Sequence, residues 1–192
     1  MKPTDKRESI IDALERILKN RRFDEVTVEE IADAAKVGKG TVYRYFEDKE
    51  DLFFQMVQQR LQEGCDAVRV VALSAGRPRD KLVRAAETMS KHIQRHGATI
   101  RAMHTMQFAR RRPGANTMMR EHHERLNGHL TRMLTEARNQ GLLRKDLDCR
   151  LALCLFRGLI LERTMMLMHG GMEMPVDDLV DLLLGGLARE DR

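Results

Sequence analysis

The spacing of the apolar residues constrains the fold of this chain more than any other feature, because it follows a helical period almost throughout. Near the N-terminus, Ile10, Leu14 and Ile17 recur at the three- and four-residue steps of an amphipathic helix. Residues that favour strands are scarce, with no Trp and two Tyr among 192 residues. The sequence therefore predicts an all-α fold of about nine helices.

Glycine and proline interrupt this period and set the expected helix boundaries. Gly97 and Gly141 are each expected to close a helix, and residues 76–78 (Gly-Arg-Pro) form the clearest linker. After this linker, helices are predicted over residues 80–96, 98–110, 116–140, 148–168 and 176–188.

Composition excludes several classes of protein. Apolar residues make up 42% of the chain and charged residues 33%, which is typical of a soluble globular protein. No apolar run approaches the roughly 20 residues that cross a bilayer, and the first residues do not lead into a signal peptide. The three cysteines have no CxxC spacing, so we expect no disulfide framework and a cytoplasmic location.

The net charge of +5 would suit a nucleic-acid partner, but its distribution does not single out a site. Residues 1–50 carry 11 Lys and Arg against 12 Asp and Glu, whereas residues 77–125 carry 12 against 4. The overall charge is therefore no evidence for DNA binding, and a motif has to supply that evidence.

Two short predicted helices joined by a tight turn follow the first helix. Thr27 and Glu30 have the spacing of a capping box, in which each side chain accepts from the backbone N–H of the other residue. Residues 36–38 (Lys-Val-Gly) break the helix that the box opens, and a second short helix runs from Lys39 to about Phe46. This is the arrangement of a helix-turn-helix, although any small helical hairpin with a glycine turn has the same spacing.

The second helix of the pair has chemistry that suits DNA. Gly38 and Gly40 leave backbone amides uncovered at a helix N-terminus, where phosphate oxygens bind well. Several polar and aromatic side chains project from a helix short enough to enter a major groove, namely Lys39, Thr41, Tyr43, Arg44 and Tyr45.

The residue string across this helix pair closely resembles the N-terminal signature of the TetR/AcrR family of transcriptional regulators. The string reads Phe23-x-x-Val26-Thr27-Val28-x-x-Ile31-Ala32-x-x-Ala35-x-Val37-x-x-Gly40-Thr41-Val42-Tyr43-x-Tyr45-Phe46-x-x-Lys49-Glu50-x-Leu52. The resemblance covers about residues 8–54. It implies an all-helical protein that dimerises through its last two helices and is usually a repressor, released by a small ligand held in a variable C-terminal domain.

The resemblance also implies individual DNA contacts. Gly40, Thr41, Tyr43 and Lys49 occupy positions that usually touch DNA in the family, as do Lys39 and Tyr45, and Tyr43 and Lys49 would hold phosphates. By their chemistry, Lys39, Thr41 and Arg44 are better placed for base edges. The complete predicted set is Thr27, Val28, Gly38, Lys39, Gly40, Thr41, Tyr43, Arg44, Tyr45 and Lys49.

The sequence departs from the family pattern at two positions. Lys36 occupies a turn position that is often Gly, a residue that tolerates positive φ. Gly38 replaces the Ser that commonly opens the recognition helix, so a side-chain cap is lost while the backbone amide remains.

An effector site is expected among the central helices, where flexible methionines and other apolar side chains are combined with a few polar ones. An ordinary methionine-rich helical core is the alternative interpretation. The predicted lining residues are Met103, His104, Met106, Gln107, Phe108, Met119, His122, Met133 and Arg163. We expect an apolar or amphipathic organic ligand there.

The sequence thus predicts a helix-turn-helix DNA-binding domain over residues 1–47 and a helical effector-binding and dimerisation domain over residues 48–192. The expected partners are double-stranded operator DNA, a small-molecule effector and a second copy of the chain. We expect leucines of the last two helices to form exposed stripes that become buried against that copy. These leucines are Leu151, Leu155, Leu159, Leu179, Leu182 and Leu183. A ligand-independent activator and a helical protein that docks an acidic partner through its basic middle remain the alternatives.

No pattern of catalysis is found. The chain has no GxSxG, Walker A or Rossmann fingerprint. His92 and His96 have the spacing of a metal-binding pair on one helix face, but no Cys or third His lies at a matching distance. We therefore expect no enzyme activity, no cofactor and no metal.

Overall fold

The computed structural model describes residues 3–105, 114–143, 145–171 and 174–186, and every regular element within them is helical. The elements are α1 (Pro3–Ile17), a short 3-10 helix (Phe23–Glu25), α2 (Val28–Ala34), α3 (Lys39–Tyr45), α4 (Lys49–Leu73), α5 (Pro78–Thr105), α6 (Ala115–Asn139), α7 (Cys149–Met168) and α8 (Val176–Gly186). Eight α-helices and no strand in the described ranges confirm the all-α prediction, with a number close to the nine expected. None of these helices is long and apolar enough to cross a membrane.

The first of two compact units contains Met1–Gln62 and His96–Arg120. Helix α1 packs against both α2 and α3, and their contact faces are apolar. Helices of seven residues are not stable alone in water, so this packing is what holds α2 and α3 in place. The buried core includes Ile10, Leu14, Ile31, Val42, Phe46, Leu52, Phe53 and Met56.

A buried arginine joins α4 to α1 in the same unit. The guanidinium of Arg60, whose residue is 6% exposed, donates to three carboxylates on one face of α1. These belong to Glu8, Asp12 and Glu15, at 3.0, 2.6 and 3.0 Å. Each of the three is one helical turn from the next, so the sequence spacing brings them to a single cation.

Glu15 also binds α5. His96 Nδ1 and Thr99 Oγ1 each lie 2.7 Å from its Oε1 atom. Burial alone raises the pKa of Glu15. The hydrogen bonds from His96 and Thr99 and the charges of His96 and Arg60 outweigh burial, and they lower the pKa from 4.5 to about 2.

The bond to Glu15 coincides with a kink in α5. His96 has non-helical backbone angles, with φ −109° and ψ 18°. The sequence predicts that one helix ends at Gly97 and another begins at Ala98, but the structure has a single kinked helix there. Glycine weakens a helix without ending it, and the preceding residue absorbs the bend.

Three helices end in the same way, and one of them lacks the glycine that this ending favours. After α6, the N–H groups of Gly141 and Leu142 donate to Arg138 and Ala137, and Gly141 has φ +79°. This Schellman motif confirms the predicted helix end at Gly141. Gly170 has the corresponding position after α7, with φ +76°.

The equivalent position after α2 is Lys36, with φ 56°. Its N–H donates to Asp33 and the N–H of Val37 donates to Ala32, both at 3.0 Å. The turn between α2 and α3 is therefore a Schellman motif built on a lysine, which pays the steric cost of a Cβ in the left-handed region.

The second compact unit contains Glu63–Arg95 and Glu121–Arg192. Helix α8 packs against α7, and the apolar core draws on all five helices that contribute to this unit. Its buried members include Val68, Leu82, Leu130, Met133, Phe156, Ile160, Val180 and Leu183.

The leucine stripes of the last two helices are only partly exposed. Leu151, Leu155 and Leu182 are 53%, 39% and 66% exposed. The prediction is wrong for Leu179 and Leu183, which are buried, and Leu159 packs half-buried against the core. These three side chains face inward because α7 and α8 must also cover the core of their own subunit.

Candidate nucleic-acid interface

The capping box that opens α2 is present as predicted. Thr27 Oγ1 accepts from the Glu30 N–H at 3.2 Å, and the Glu30 carboxylate accepts from the Thr27 N–H at 2.8 Å. The hydroxyl and the backbone N–H of Thr27 are both bonded to Glu30, so Thr27 fixes the start of the helix. Val28 packs half-buried against the core of the unit.

Helix α3 is anchored by its buried face and presents the opposite face to solvent. Val42 and Phe46 are each 2% exposed, whereas Gly38, Lys39, Gly40, Tyr43 and Arg44 are exposed and Thr41 and Tyr45 are half-buried. The predicted contact residues of α3 thus form one accessible surface with the helix N-terminus at its edge.

No described atom lies close enough to the two glycines at the start of α3 to exclude a larger side chain. A Cβ built on Gly38 or Gly40 meets no atom within 4 Å, and neither residue has a positive φ. Gly64 is a contrast, because a Cβ there would lie 2.8 Å from the His92 ring. The space at Gly38 and Gly40 leaves the first backbone amides of α3 open to an approaching group.

The charged side chains on this surface have partners in the free protein. Lys39 Nζ forms a close ion pair with the Glu29 carboxylate of α2. This hydrogen bond raises the pKa of Lys39 and lowers that of Glu29. The guanidinium of Arg44 lies 5.4 Å from the centre of the Tyr45 ring. Lys39 must exchange one partner for another to reach a base.

Lys49 has a structural role that the sequence does not predict. Its Nζ donates to the carbonyls of Phe23 and Val26 at 3.1 and 2.8 Å, and it lies 4.5 Å from the centre of the Phe23 ring. The ammonium therefore ties the start of α4 to the segment before α2. A contact between Lys49 and phosphate remains a prediction.

The residues predicted to hold an effector fall in both units. Met103 and Met119 are half-buried in the first unit, and His122, Met133 and Arg163 are buried in the second. Met106, Gln107, Phe108 and the side chain of His104 lie outside the described residues.

His122 has an unusual environment in the second unit. Its Nδ1 atom is buried without a hydrogen-bond partner among the described residues. Burial lowers the pKa of His122, the positive charges of His123, Arg125, His92 and Arg157 lower it further, and the value is about 4. The side chain is therefore neutral at pH 7.

His92 and His96, which have the spacing of a metal-binding pair, have other contacts in the structure. His96 Nδ1 is bound to Glu15, and the ring of His92 packs against Gly64. No group of three or more metal-ligating side chains is found in the described part of the chain.

An all-helical chain with a capped helix, a tight turn and an exposed short second helix is a helix-turn-helix protein. The sequence model described as "Bacterial regulatory proteins, tetR family" matches residues 10–56. This segment contains α2, the turn at Lys36 and α3. Residues 10–56 of the chain are therefore similar to the TetR family.

Individual relatives extend this result. An uncharacterized HTH-type transcriptional regulator of Mycobacterium bovis is 32% identical over 90 residues, which are 46% of this chain and 41% of the relative. The match thus spans less than half of that relative. The fatty acid metabolism regulator protein of Bacillus subtilis is 27% identical over 157 residues, covering 80% of this chain and 78% of the relative.

A solved structure matches nearly the whole chain. It is the fatty acid degradation regulator FadR of Bacillus halodurans, with a TM-score of 0.76 and 25% identity. The match covers 96% of this chain and 97% of that one. The similarity in fold therefore extends beyond the helix-turn-helix.

Proposed function

We propose that the protein is a sequence-specific DNA-binding transcriptional regulator, a repressor that a small organic ligand releases from its operator. The observation behind this proposal is the open surface at the start of α3, where a Cβ on either glycine would meet no described atom within 4 Å. Backbone N–H groups at this helix end can bind a phosphate, and the exposed side chains of Lys39, Tyr43 and Arg44 extend the same surface. Residues 1–47 would read DNA, and residues 48–192 would bind the effector and the second subunit.

The proposed regulator acts as a dimer. Leu151, Leu155 and Leu161 lie on one face of α7 and are exposed, and Leu182 of α8 is 66% exposed. A second copy of the same two helices would cover these side chains in a four-helix bundle. Two recognition helices would then read the halves of a pseudo-palindromic operator.

The names of the relatives suggest which genes the regulator controls. Proteins named for the regulation of fatty acid metabolism and fatty acid degradation match most of this chain. We infer that the genes controlled by this chain serve fatty acid metabolism and that the effector is apolar or amphipathic. Operator binding would take place in the cytoplasm.

The test separates DNA contact from folding by exchanging two glycines that are equally unhindered. Gly40 in α3 and Gly128 in α6 each have nothing within 4 Å of a built Cβ. Alanine favours helix over glycine by about 1 kcal/mol, so Gly40→Ala and Gly128→Ala should both raise stability. Only Gly40→Ala should weaken DNA binding, because its methyl group would occupy the space kept for the DNA backbone.

The measurement is fluorescence anisotropy with duplexes selected from a random library by the wild-type protein. A drop in affinity for Gly40→Ala with unchanged affinity for Gly128→Ala supports the proposal. Equal affinities of both variants would contradict the role of α3. Failure to select any sequence would favour the alternative of a helical protein that docks another protein.

A further inference from the structure

One buried cation in the second unit, Arg163, has no counter-ion among the residues that the structure describes. Arg163 of α7 is 8% exposed. Its Nε donates to the carbonyl of Met174, and its Nη1 donates to Ser90 Oγ at 3.4 Å. No carboxylate within the described ranges pairs with it, and its Nη2 donates to no described residue.

Arg60 shows how this chain otherwise accommodates a buried guanidinium. The two arginines are buried to nearly the same degree, at 6% and 8% exposure. Arg60 is neutralised by three carboxylates within 3.0 Å. A buried charge without a partner is costly, and arginine cannot lose its proton to avoid that cost. No described carboxylate neutralises Arg163, and its guanidinium keeps one nitrogen, Nη2, that can bind an anion.

The hydroxyl groups beside Arg163 do not meet that demand. Thr164 Oγ1 donates to the Ile160 carbonyl at 2.6 Å, so Ser90 Oγ is the donor in the 2.8 Å bond between Ser90 and Thr164. Ser90 then accepts from Arg163. Both hydroxyl protons are thus donated within the protein, and only the guanidinium has an N–H group left to donate to an anion.

Beyond these polar contacts, Arg163 lies on a helix whose buried face is apolar. Phe156 and Ile160 precede Arg163 on α7 and are each 1% exposed, and Met89 beside Ser90 packs against the same core. A positive group at the border of an apolar core matches a molecule with an acidic head and a hydrocarbon body.

We propose that Arg163 anchors the negatively charged head of the effector, a carboxylate or a phosphate carried by an apolar chain. This inference rests on the proposed function insofar as it assigns the ligand to the effector site. The planar guanidinium binds both kinds of oxyanion through paired hydrogen bonds. The uncharged counterpart of the same molecule would leave Arg163 unpaired.

The experiment compares three amphiphiles of equal chain length on the full-length protein without DNA. Isothermal titration calorimetry is run with dodecanoate, dodecyl phosphate and dodecan-1-ol, each below its aggregation concentration. Hydrogen bonds to charged groups correspond to about 10- to 100-fold in affinity. We expect at least one anion to bind more tightly than the alcohol by about this factor. The anion that does so identifies the head group as carboxylate, phosphate or either.

Two variants test whether Arg163 is responsible. Arg163→Met should abolish the preference for the anion, and Arg163→Lys should keep part of it because the charge remains without the planar fork. Arg150→Met is the matched control, since Arg150 lies on the same helix with its side chain 90% exposed. This control should retain the full preference.

Stability of the ligand-free protein distinguishes an anchor from a structural tie. In the ligand-free protein the Arg163 side chain is held by two hydrogen bonds, so urea unfolding of Arg163→Met should show only a modest loss of stability. The proposal would be overturned if Arg163→Met were strongly destabilised and its folded fraction still preferred the anion, as Arg163→Lys does. Equal binding of all three amphiphiles, or no binding of either anion, would overturn it too.

The outcome is independent of the DNA experiment. Loss of the anion preference in Arg163→Met would stand even if no operator were found, and in that case the regulatory function alone would fail. Conversely, DNA binding by the wild type with no response to either anion would leave the regulator in place and refute the anchor.

Discussion

Acid should destabilise this protein through Glu15, and the structure sets the size of the effect. The Glu15 pKa is about 2 in the folded protein, against an ordinary value of 4.5. Since one pKa unit is worth about 1.4 kcal/mol, the ionised carboxylate contributes about 3 kcal/mol to the free energy of unfolding. Glu15 is 8% exposed, so solvent does little to screen its bonds.

The sign follows from the lowered pKa. At pH 7 the carboxylate is ionised in both states, and the full contribution is present. As the pH falls below 4.5, the unfolded chain takes up the proton first, and the stabilisation is lost progressively towards pH 2. The substitution Glu15→Gln removes the charge at every pH while keeping an oxygen that can accept from Thr99.

The measurement is urea unfolding of wild type and Glu15→Gln, followed by circular dichroism from pH 7 to pH 3 at one protein concentration. We expect a gap of about 2–3 kcal/mol at pH 7 that narrows by half or more at pH 3. Glu121→Gln, at an exposed position of α6, should show no comparable gap. A gap for Glu15→Gln that stays constant over the whole range would refute the assignment of the lowered pKa to this network.

Two further predictions concern the turn and the subunit contact. Lys36→Gly should raise the free energy of unfolding by about 0.5–1 kcal/mol, because relief of a Cβ in the left-handed region outweighs the extra freedom of glycine in the unfolded chain. Gly141→Ala, at the corresponding position after α6, should lower the free energy of unfolding. Thermal unfolding in which Lys36→Gly is less stable than wild type would contradict the strain argument. Leu155→Glu should be monomeric by light scattering and should lose operator affinity, because a charge would lie in the contact between subunits. Glu162→Gln on the same helix should remain dimeric. A Leu155→Glu variant that is dimeric at micromolar concentration would exclude this face of α7 from the interface.

Local features of the fold could be predicted because short-range chemistry determines them. The Thr27–Glu30 capping box and the helix end at Gly141 depend on residues within one or two turns, and both are present as predicted. The departure at Lys36 also proved informative, since the residue has the positive φ that its position requires. Such features are read from neighbours in the sequence.

The exposed face of α3 was predictable from the sequence, but the partners of its side chains were not. The sequence indicated which side chains α3 presents, but it gave no sign that Glu29 binds Lys39 or that Lys49 is held by two carbonyls. Those partners come from other helices and loops. Periodicity assigns a residue to a face of its helix and says nothing of what is packed against that face.

The helical class, most helix boundaries and the resemblance to the TetR family could be read from the sequence, because apolar period, capping residues and a dense motif are properties of contiguous segments. Which buried charges are neutralised depends instead on contacts between helices. Arg60 meets carboxylates that precede it by 45 to 52 positions, while Arg163 finds a hydroxyl and a carbonyl. The physical reason is that the cost of burying a charge depends on groups that the fold brings together across long separations in the chain.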